Sequence, residues 1–148
     1  MEHKNEISAG GIVFRKGENA QVVWLVAQHS KHHGWGFPKG LVGDTNPEEK
    51  SVEAAVREVR EEGGIVARII NESPIITTYT YQSSGAQVHK KVDYYLMEYV
   101  SGNIQDHDDE VSDLSFIDAK EVMQKLTYEE DKQAFTQILH LFEAYNQK

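Results

Sequence analysis

Hydrophobic and polar positions along the chain follow the two periods that distinguish strands from helices. Alternating or continuously apolar runs rich in β-branched residues predict β-strands at 7–14, 22–28, 65–70, 75–81, 88–100 and 114–117. The first two runs flank a Lys16-Gly17-Glu18-Asn19 turn and predict a hairpin. Together the runs predict a mixed sheet.

A helix is predicted between the second and third strands, because apolar residues recur there at helical spacing, at Val52, Ala55, Val56 and Val59. It has two candidate starts, one with Asn46 as the N-cap before Pro47 and one with Ser51 as a later cap. Gly63 and Gly64 end it. Two more helices are predicted at 118–126 and 128–145, which makes the fold class α/β with helices packed on the sheet.

Two irregular segments interrupt this pattern. Residues 28–46 form a glycine-rich stretch that also holds Trp35 and Phe37. A loop of this length inside a small domain usually has a functional role. Residues 106–113 form a second, acidic loop.

Composition narrows the functions that this fold could serve. The 148 residues fit one domain over 1–148, and no segment has the apolar length of a membrane span or a signal peptide, so we expect a cytoplasmic protein. The absence of Cys excludes disulfides, thiolate zinc sites and cysteine nucleophiles. With 15 Lys and Arg against 24 Asp and Glu, the net charge is −9, and no stable nucleic-acid partner is expected.

Three glutamates on the first helix are the main candidates for chemistry. Glu58, Glu61 and Glu62 stand at i, i+3 and i+4 and therefore share one helix face. Carboxylates this close raise one another's pKa unless a cation lies among them, and an oxygen-only set favours Mg²⁺ or Mn²⁺ over Zn²⁺. The alternative is a solvated ion-pair ladder of Glu53, Arg57 and Glu61.

The spacing of these residues resembles a known signature. From Gly43 the chain has five residues, Glu49, seven residues, and then Arg57-Glu58-Val59-Arg60-Glu61-Glu62-Gly63-Gly64-Ile65. This is similar to the Nudix hydrolase pattern G-x5-E-x7-R-E-U-x-E-E-x-G-U, where U is aliphatic. The segments SAGGIVF, GWGFPKG and KKVDYYL also resemble the family. One departure is that relatives with an FPKG segment take the signature glycine from it, here Gly40, which implies a three-residue insertion before Glu49.

The resemblance implies a Nudix-type α/β/α sandwich and a role for each matching residue. Glu58 and Glu62 correspond to metal ligands, and Glu61 to a further ligand or to the base that deprotonates the attacking water. Arg57 would orient a glutamate, and Glu49 would hold Arg57. A backbone carbonyl at Lys39 or Gly40 often completes the metal shell, and in several relatives the base comes from a later loop, where Glu110 is the candidate.

Several residues outside the signature are candidates for binding the phosphates and the base of a substrate. Lys39 lies in the loop that enters the helix, and Lys90 corresponds to a lysine that faces phosphates in dinucleoside polyphosphate hydrolases. Lys90 points to the opposite strand face from Lys91. His32 or His33 could contact phosphate, and His33 is taken as the candidate. Tyr79 and Tyr81, two apart on a strand, could stack on a base or simply pack in the sheet.

The resemblance implies a Mg²⁺-dependent hydrolase of nucleoside diphosphates linked to another moiety. The chain looks most like the asymmetric bis(5′-nucleosyl)-tetraphosphatase branch, whose substrate diadenosine tetraphosphate gives ATP and AMP. RNA 5′-pyrophosphate, ADP-ribose and NTP are alternative substrates, and a non-catalytic nucleotide-sensing module is the alternative from another class. The expected partner is a small nucleotide, and the sequence leaves the oligomeric state open.

Overall fold

The computed structural model describes residues 2–147. In chain order the elements are β1 (Glu2–Lys16), β2 (Val22–His29), β3 (Trp35–Gly36), β4 (Lys39–Leu41), α1 (Ser51–Gly63), β5 (Ile65–Ile69), β6 (Ile75–Ser83), β7 (Ala86–Gly102), β8 (Val111–Ile117), α2 (Ala119–Lys125) and α3 (Glu129–Asn146). Short 3₁₀ turns at Glu18–Ala20 and Ile104–Asp106 complete the set. Every predicted strand and helix is present, most with ends shifted by one to five residues.

The eight strands of residues 2–147 form one mixed sheet, as predicted. The long strands β1 and β7 lie side by side and parallel at its centre, while the remaining strand pairs are antiparallel. The predicted β1–β2 hairpin is confirmed, with Phe14 opposite Trp24. The sheet is therefore the rigid frame from which the loops project.

Helices cover both faces of the sheet, which confirms the α/β/α sandwich. On one face α1 packs against buried residues that include Val13, Leu25 and Met97. On the other face α2 and α3 cover an aromatic core in which Trp24 contacts Phe135 edge to face. Within residues 2–147 no helix is both long enough and apolar enough to cross a membrane.

The start of α1 differs from both predictions. Asn46 caps a turn instead of a helix, because its side chain accepts a hydrogen bond from the Glu48 N–H. The N-cap is Lys50, whose N–H donates to the Glu53 carboxylate. Ser51 is the first helical residue, and its hydroxyl donates to Asp93 at 2.7 Å, which ties the helix to β7.

Two segments predicted as loops contain short strands. Within residues 28–46, β4 pairs with β1 so that Gly40 lies opposite Ala9. Within the acidic loop, β8 starts at Val111 and pairs with β2. Both segments are thereby fastened to the sheet beside the carboxylate face of α1.

Candidate active site

Two adjoining cavities open beside α1. We call the first the acidic cavity; it has a volume of about 290 Å³, and its lining includes Gly40, Glu58, Glu61, Glu62, Asp108 and Glu110. The second, the aromatic cavity, has a volume of about 520 Å³, and its lining includes Tyr79, Tyr81, Tyr128, Glu130 and Asp131. Both are also lined by four basic or imidazole side chains: His29, His32, Lys39 and Lys90. The two cavities therefore form one continuous cleft.

The α1 carboxylates of the acidic cavity are unusually buried. Glu58 and Glu62 are each 7% exposed. Burial raises the pKa of each to about 8, and the nearby Glu110 carboxyl adds to the rise for both. In water these groups would be ionised at neutral pH, so their burial costs free energy unless positive charge approaches them.

Arg57 is the hub that connects the signature residues. Its guanidinium donates two hydrogen bonds to Glu49, at 2.7 and 3.0 Å, and one to the Leu41 carbonyl. Its Nη1 donates to Glu58 at 3.1 Å and to Glu61 at 3.0 Å. The two hydrogen bonds to Glu49 form a bidentate pair, which fixes the plane of the guanidinium. Of the alternative ion-pair ladder, the Arg57–Glu61 pair is present, whereas Glu53 accepts a hydrogen bond from the Lys50 N–H at the start of α1.

The insertion before Glu49 does not remove this glutamate from the cluster. Gly43 adopts a left-handed conformation with φ of +79° and donates its N–H to Glu49 at 3.0 Å. The turn brings the Glu49 carboxylate to Arg57, and this hydrogen-bonded pairing lowers the pKa of Glu49. Gly43 therefore occupies the glycine position of the signature, whereas Gly40 contacts Glu58.

Gly40 meets the Glu58 carboxylate directly. A Cβ at residue 40 would lie 1.4 Å from Glu58 Oε2, so no side chain fits there. On the preceding residue, the Lys39 N–H donates to Glu62 Oε1 at 3.3 Å. The β4 backbone thus lies against both buried glutamates.

The donor set fits a hard divalent cation. No three acidic or histidine side chains among residues 2–147 are arranged to enclose an ion. Arg57 bonds to both Glu58 and Glu61. Mg²⁺ does not need such a cage, because one or two carboxylates, water and substrate phosphates usually hold it. Two buried carboxylates beside the backbone of Gly40, which lines the same cavity, match that requirement.

The acidic loop reaches this cavity from the other side. The Glu110 N–H donates to Asp108 Oδ1, and the Asp108 N–H donates to the carbonyl of Glu61. The Glu110 carbonyl accepts hydrogen bonds from the Ser30 N–H and hydroxyl. These bonds bring Glu110 and Asp108 beside the α1 carboxylates. Sequence reasoning missed Asp108, whose only signal was its place in the acidic run.

Two lysines stand where the cavities meet. Lys90 shares its sheet face with Tyr79, its register partner on β6. Burial lowers the pKa of Lys90, and the positive charge of Lys39 lowers it further. Two ammonium groups that repel each other in a partly buried cleft are well placed to bind a polyanion.

A stacked histidine pair also lies at this junction, and it is not the predicted one. His29 and His32 stack with ring centroids 4.1 Å apart. Each Nδ1 accepts a backbone hydrogen bond, from Lys31 and Gly34 respectively, so in the neutral rings the proton is on Nε2. Burial lowers the pKa of both histidines. The pair therefore offers neutral N–H donors.

His33 is the predicted substrate contact that the structure does not bring to the cleft. It lines neither cavity and has a left-handed φ of +61°. Its N–H and carbonyl are used in the turn, bonded to His29 and Gln28. This tight turn directs His32 to the cleft. Because His32 and His33 are neighbours in sequence, the sequence alone could not show which of the two reaches it.

The aromatic cavity contains both predicted tyrosines, together with residues that were not predicted, among them Tyr128 and Asp131. Tyr79 and Tyr81 project from β6, and the Tyr81 hydroxyl donates to Glu6. Tyr128, just before α3, is 39% exposed. Buried Asp131 accepts hydrogen bonds from the hydroxyls of Tyr79 and Tyr94. Asp131 thereby fixes the Tyr79 ring. Its only signal in the sequence was its place among the acidic residues of the first turn of α3.

Comparison with known proteins places the chain in a family. A family model described as the NUDIX domain matches residues 4–138. A Mycobacterium tuberculosis protein named as mutator protein MutT4 is 31% identical over 139 residues, covering 89% of this chain. The match covers 54% of MutT4, so this chain spans about half the length of that relative.

Solved structures share the fold. A Caenorhabditis elegans Ap4A hydrolase in a binary complex has a TM-score of 0.69 at 24% identity, with 94% of this chain and 98% of that chain covered. The NUDIX domain of Shewanella oneidensis NrtR complexed with ADP ribose has a TM-score of 0.68 at 19% identity, with 93% and 88% covered. Since the family model matches most of its length, the chain belongs to the NUDIX domain family.

Proposed function

We propose that this chain is a divalent-metal-dependent hydrolase of nucleoside diphosphates linked to another moiety. The observation that carries the proposal is the continuity of the acidic and aromatic cavities across Lys39 and Lys90. A ligand that fills both has a polyanionic part and an aromatic part. Dinucleoside polyphosphates, with diadenosine tetraphosphate giving ATP and AMP, meet this description best.

Glu58 and Glu62 would hold Mg²⁺, or Mn²⁺ in its place, with Glu61 or the Gly40 carbonyl as further ligands. When bound, the ion supplies neutralisation of phosphate charge and lowers the pKa of water. Arg57 and Glu49 keep the carboxylates in position through the guanidinium. The metal requirement predicts that excess EDTA abolishes turnover.

The chain's own residues supply the remaining steps. Oxygen of a water molecule attacks one phosphorus, the bridging P–O bond breaks, and the leaving phosphate departs with the electron pair. Glu61 or Glu110 accepts the proton from the attacking water, since both carboxylates line the acidic cavity. Lys39 and Lys90 bind the non-reacting phosphates.

The aromatic cavity would hold the base. Tyr79, Tyr81 and Tyr128 supply ring surface on which a base can stack. The neutral Nε2–H groups of His29 and His32 can donate to phosphate oxygens or ribose between the two cavities. This division assigns binding of one nucleoside to the aromatic cavity and bond cleavage to the acidic one.

A substrate panel tests the proposal. Purified protein is incubated with Mg²⁺ and ¹⁸O-water against diadenosine tetraphosphate, ADP-ribose, NTPs and 5′-triphosphorylated RNA, and products are identified by mass spectrometry. We expect ATP and AMP from diadenosine tetraphosphate at the highest rate, with ¹⁸O in one product. Faster cleavage of ADP-ribose, the ligand of the NrtR domain, would transfer the assignment to that substrate. Tight binding without cleavage of any member would establish the sensing module instead.

A further inference from the structure

The buried Asp131 carboxylate has one oxygen that the rest of the chain does not use. The residue is 1% exposed, and the hydroxyls of Tyr79 and Tyr94 both donate to the same oxygen, Oδ1. Within residues 2–147 no hydrogen bond reaches Oδ2. Buried carboxylate oxygens normally have a partner, and one without a partner costs free energy until a donor binds it.

A narrow slot extends from the aromatic cavity to this carboxylate. Its volume is about 20 Å³, and its lining includes Gly36, Tyr128 and Asp131, of which Tyr128 and Asp131 also line the aromatic cavity. A Cβ at residue 36 would lie 3.1 Å from Asp131 Oδ2, so the glycine keeps the approach to that oxygen open. Because about 10–15 Å³ is enough for one water molecule, the slot has room for a group as small as an amine.

We propose that Asp131 recognises the edge of the bound base, with Oδ2 accepting a hydrogen bond from the exocyclic amine of a 6-aminopurine. The inference rests on the proposed function, in which the aromatic cavity holds a base. Tyr79 and Tyr128 line that cavity beside Asp131. A base that stacks on either ring can therefore direct its edge into the slot.

The single free oxygen determines which base fits. The two tyrosine hydroxyls occupy both lone pairs of Oδ1, so only Oδ2 is left for the ligand. Adenine presents one amino group on that edge, whereas guanine presents adjacent N1–H and N2–H donors that suit a carboxylate with both oxygens free. Hypoxanthine replaces the amine with a carbonyl oxygen, which a carboxylate repels. The larger stacking surface of a purine favours adenine over cytosine.

Calorimetry with the wild-type protein tests the proposal by removing only the amine. AMP is compared with purine riboside 5′-monophosphate, which lacks the 6-amino group. Burial raises the pKa of Asp131, so binding is measured at mildly alkaline pH, where the carboxylate is ionised. We expect AMP to bind roughly tenfold more tightly, as a hydrogen bond to a charged group predicts. Equal affinities overturn the role of Asp131 and leave the base site in place, whereas no binding of either nucleotide refutes the proposed function itself.

Asp131→Asn tests which atom makes the contact. The two tyrosine hydroxyls keep the amide oxygen at the Oδ1 position, so the NH₂ group replaces Oδ2 and the acceptor becomes a donor. We expect the preference to reverse, with IMP bound more tightly than AMP. Asp113→Asn, at an exposed position on β8, is the matched control and should keep the wild-type preference. An equal loss of affinity for AMP and IMP would show that Asp131 only holds the tyrosines, and would overturn the proposal.

Gly36→Ala provides a second variant that keeps the carboxylate. The added methyl group narrows the approach to Asp131 Oδ2. We expect the advantage of AMP over purine riboside 5′-monophosphate to disappear. An unchanged advantage would contradict an amine bound in the slot.

Discussion

The two cavities of the cleft are built in different ways. The acidic cavity takes Glu58, Glu61 and Glu62 from a single helix, and Arg57 in that helix bonds to two of them. The aromatic cavity collects its lining from β6, the loop after β2 and the start of α3, segments about 50 residues apart in sequence. Helix periodicity sets the relative positions of the three glutamates. The residues of the aromatic cavity are brought together only by the tertiary fold.

The comparison predicts that the largest losses follow changes in the acidic cavity. Glu62→Gln should lower kcat by about 10²–10³-fold, the usual effect of removing one group that stabilises charge in the transition state. The variant should be at least as stable as the wild type, because Gln removes a carboxylate whose burial is costly. Steady-state kinetics and thermal unfolding check both, with Glu143→Gln on α3 as control. A wild-type kcat would show that Glu62 takes no part in the chemistry.

Gly40→Ala tests the same cavity through the backbone. The added Cβ would fall 1.4 Å from Glu58 Oε2, so the carboxylate must move, and kcat should fall by about 10²-fold. Gly17→Ala is the matched control, since the nearest atom to its Cβ is 3.6 Å away. If both variants keep full activity, Glu58 is not positioned by its contact with residue 40.

Tyr128→Leu should affect recognition and leave the chemistry intact. Stacking on one aromatic side chain contributes about 1–3 kcal/mol per base, so KM for diadenosine tetraphosphate should rise by roughly tenfold with kcat nearly unchanged. Tyr128→Phe keeps the ring and should retain the wild-type KM. A fall in kcat with constant KM would reverse the roles assigned to the two cavities.

Lys90→Ala should have the smallest effect of the four. Lys39 lines the same cleft and can still bind phosphate, so losing one of the two ammonium groups should raise KM for polyphosphates by only about fivefold, or about 1 kcal/mol. Lys91→Ala is the control, because Lys91 points to the other face and pairs with Asp93. Equal KM values in the two variants would place Lys90 outside the phosphate path.

The sequence predicted the fold closely because both sheet faces are buried and the helical stripes are regular. What it could not predict were contacts set by hydrogen bonding. The N-cap of α1 is Lys50 and not Ser51, whose hydroxyl bonds to Asp93 on β7 instead of capping the helix. The strands β3 and β4 are too short for a period to be visible, and only their pairing with β2 and β1 reveals them.

The same distinction holds for the site. The spacing of Arg57, Glu58, Glu61 and Glu62 located the acidic cavity, since local periodicity fixes their common face. The structure brings His32 to the cleft and not His33, because the left-handed turn at residue 33 decides which ring reaches it. Tyr128 and Asp131 were missed because their partners, His32 and Tyr79, come from distant strands and loops.

If the acidic cavity cleaves the substrate and the aromatic cavity binds the base, AMP binding and turnover should depend on different residues. Calorimetry of AMP with wild type, Glu62→Gln and Tyr128→Leu, beside hydrolysis of diadenosine tetraphosphate by the same three proteins, separates the two roles. We expect Glu62→Gln to bind AMP like the wild type while losing turnover, and Tyr128→Leu to bind AMP about tenfold more weakly while keeping kcat. Loss of AMP binding in Glu62→Gln with unchanged binding in Tyr128→Leu would contradict it.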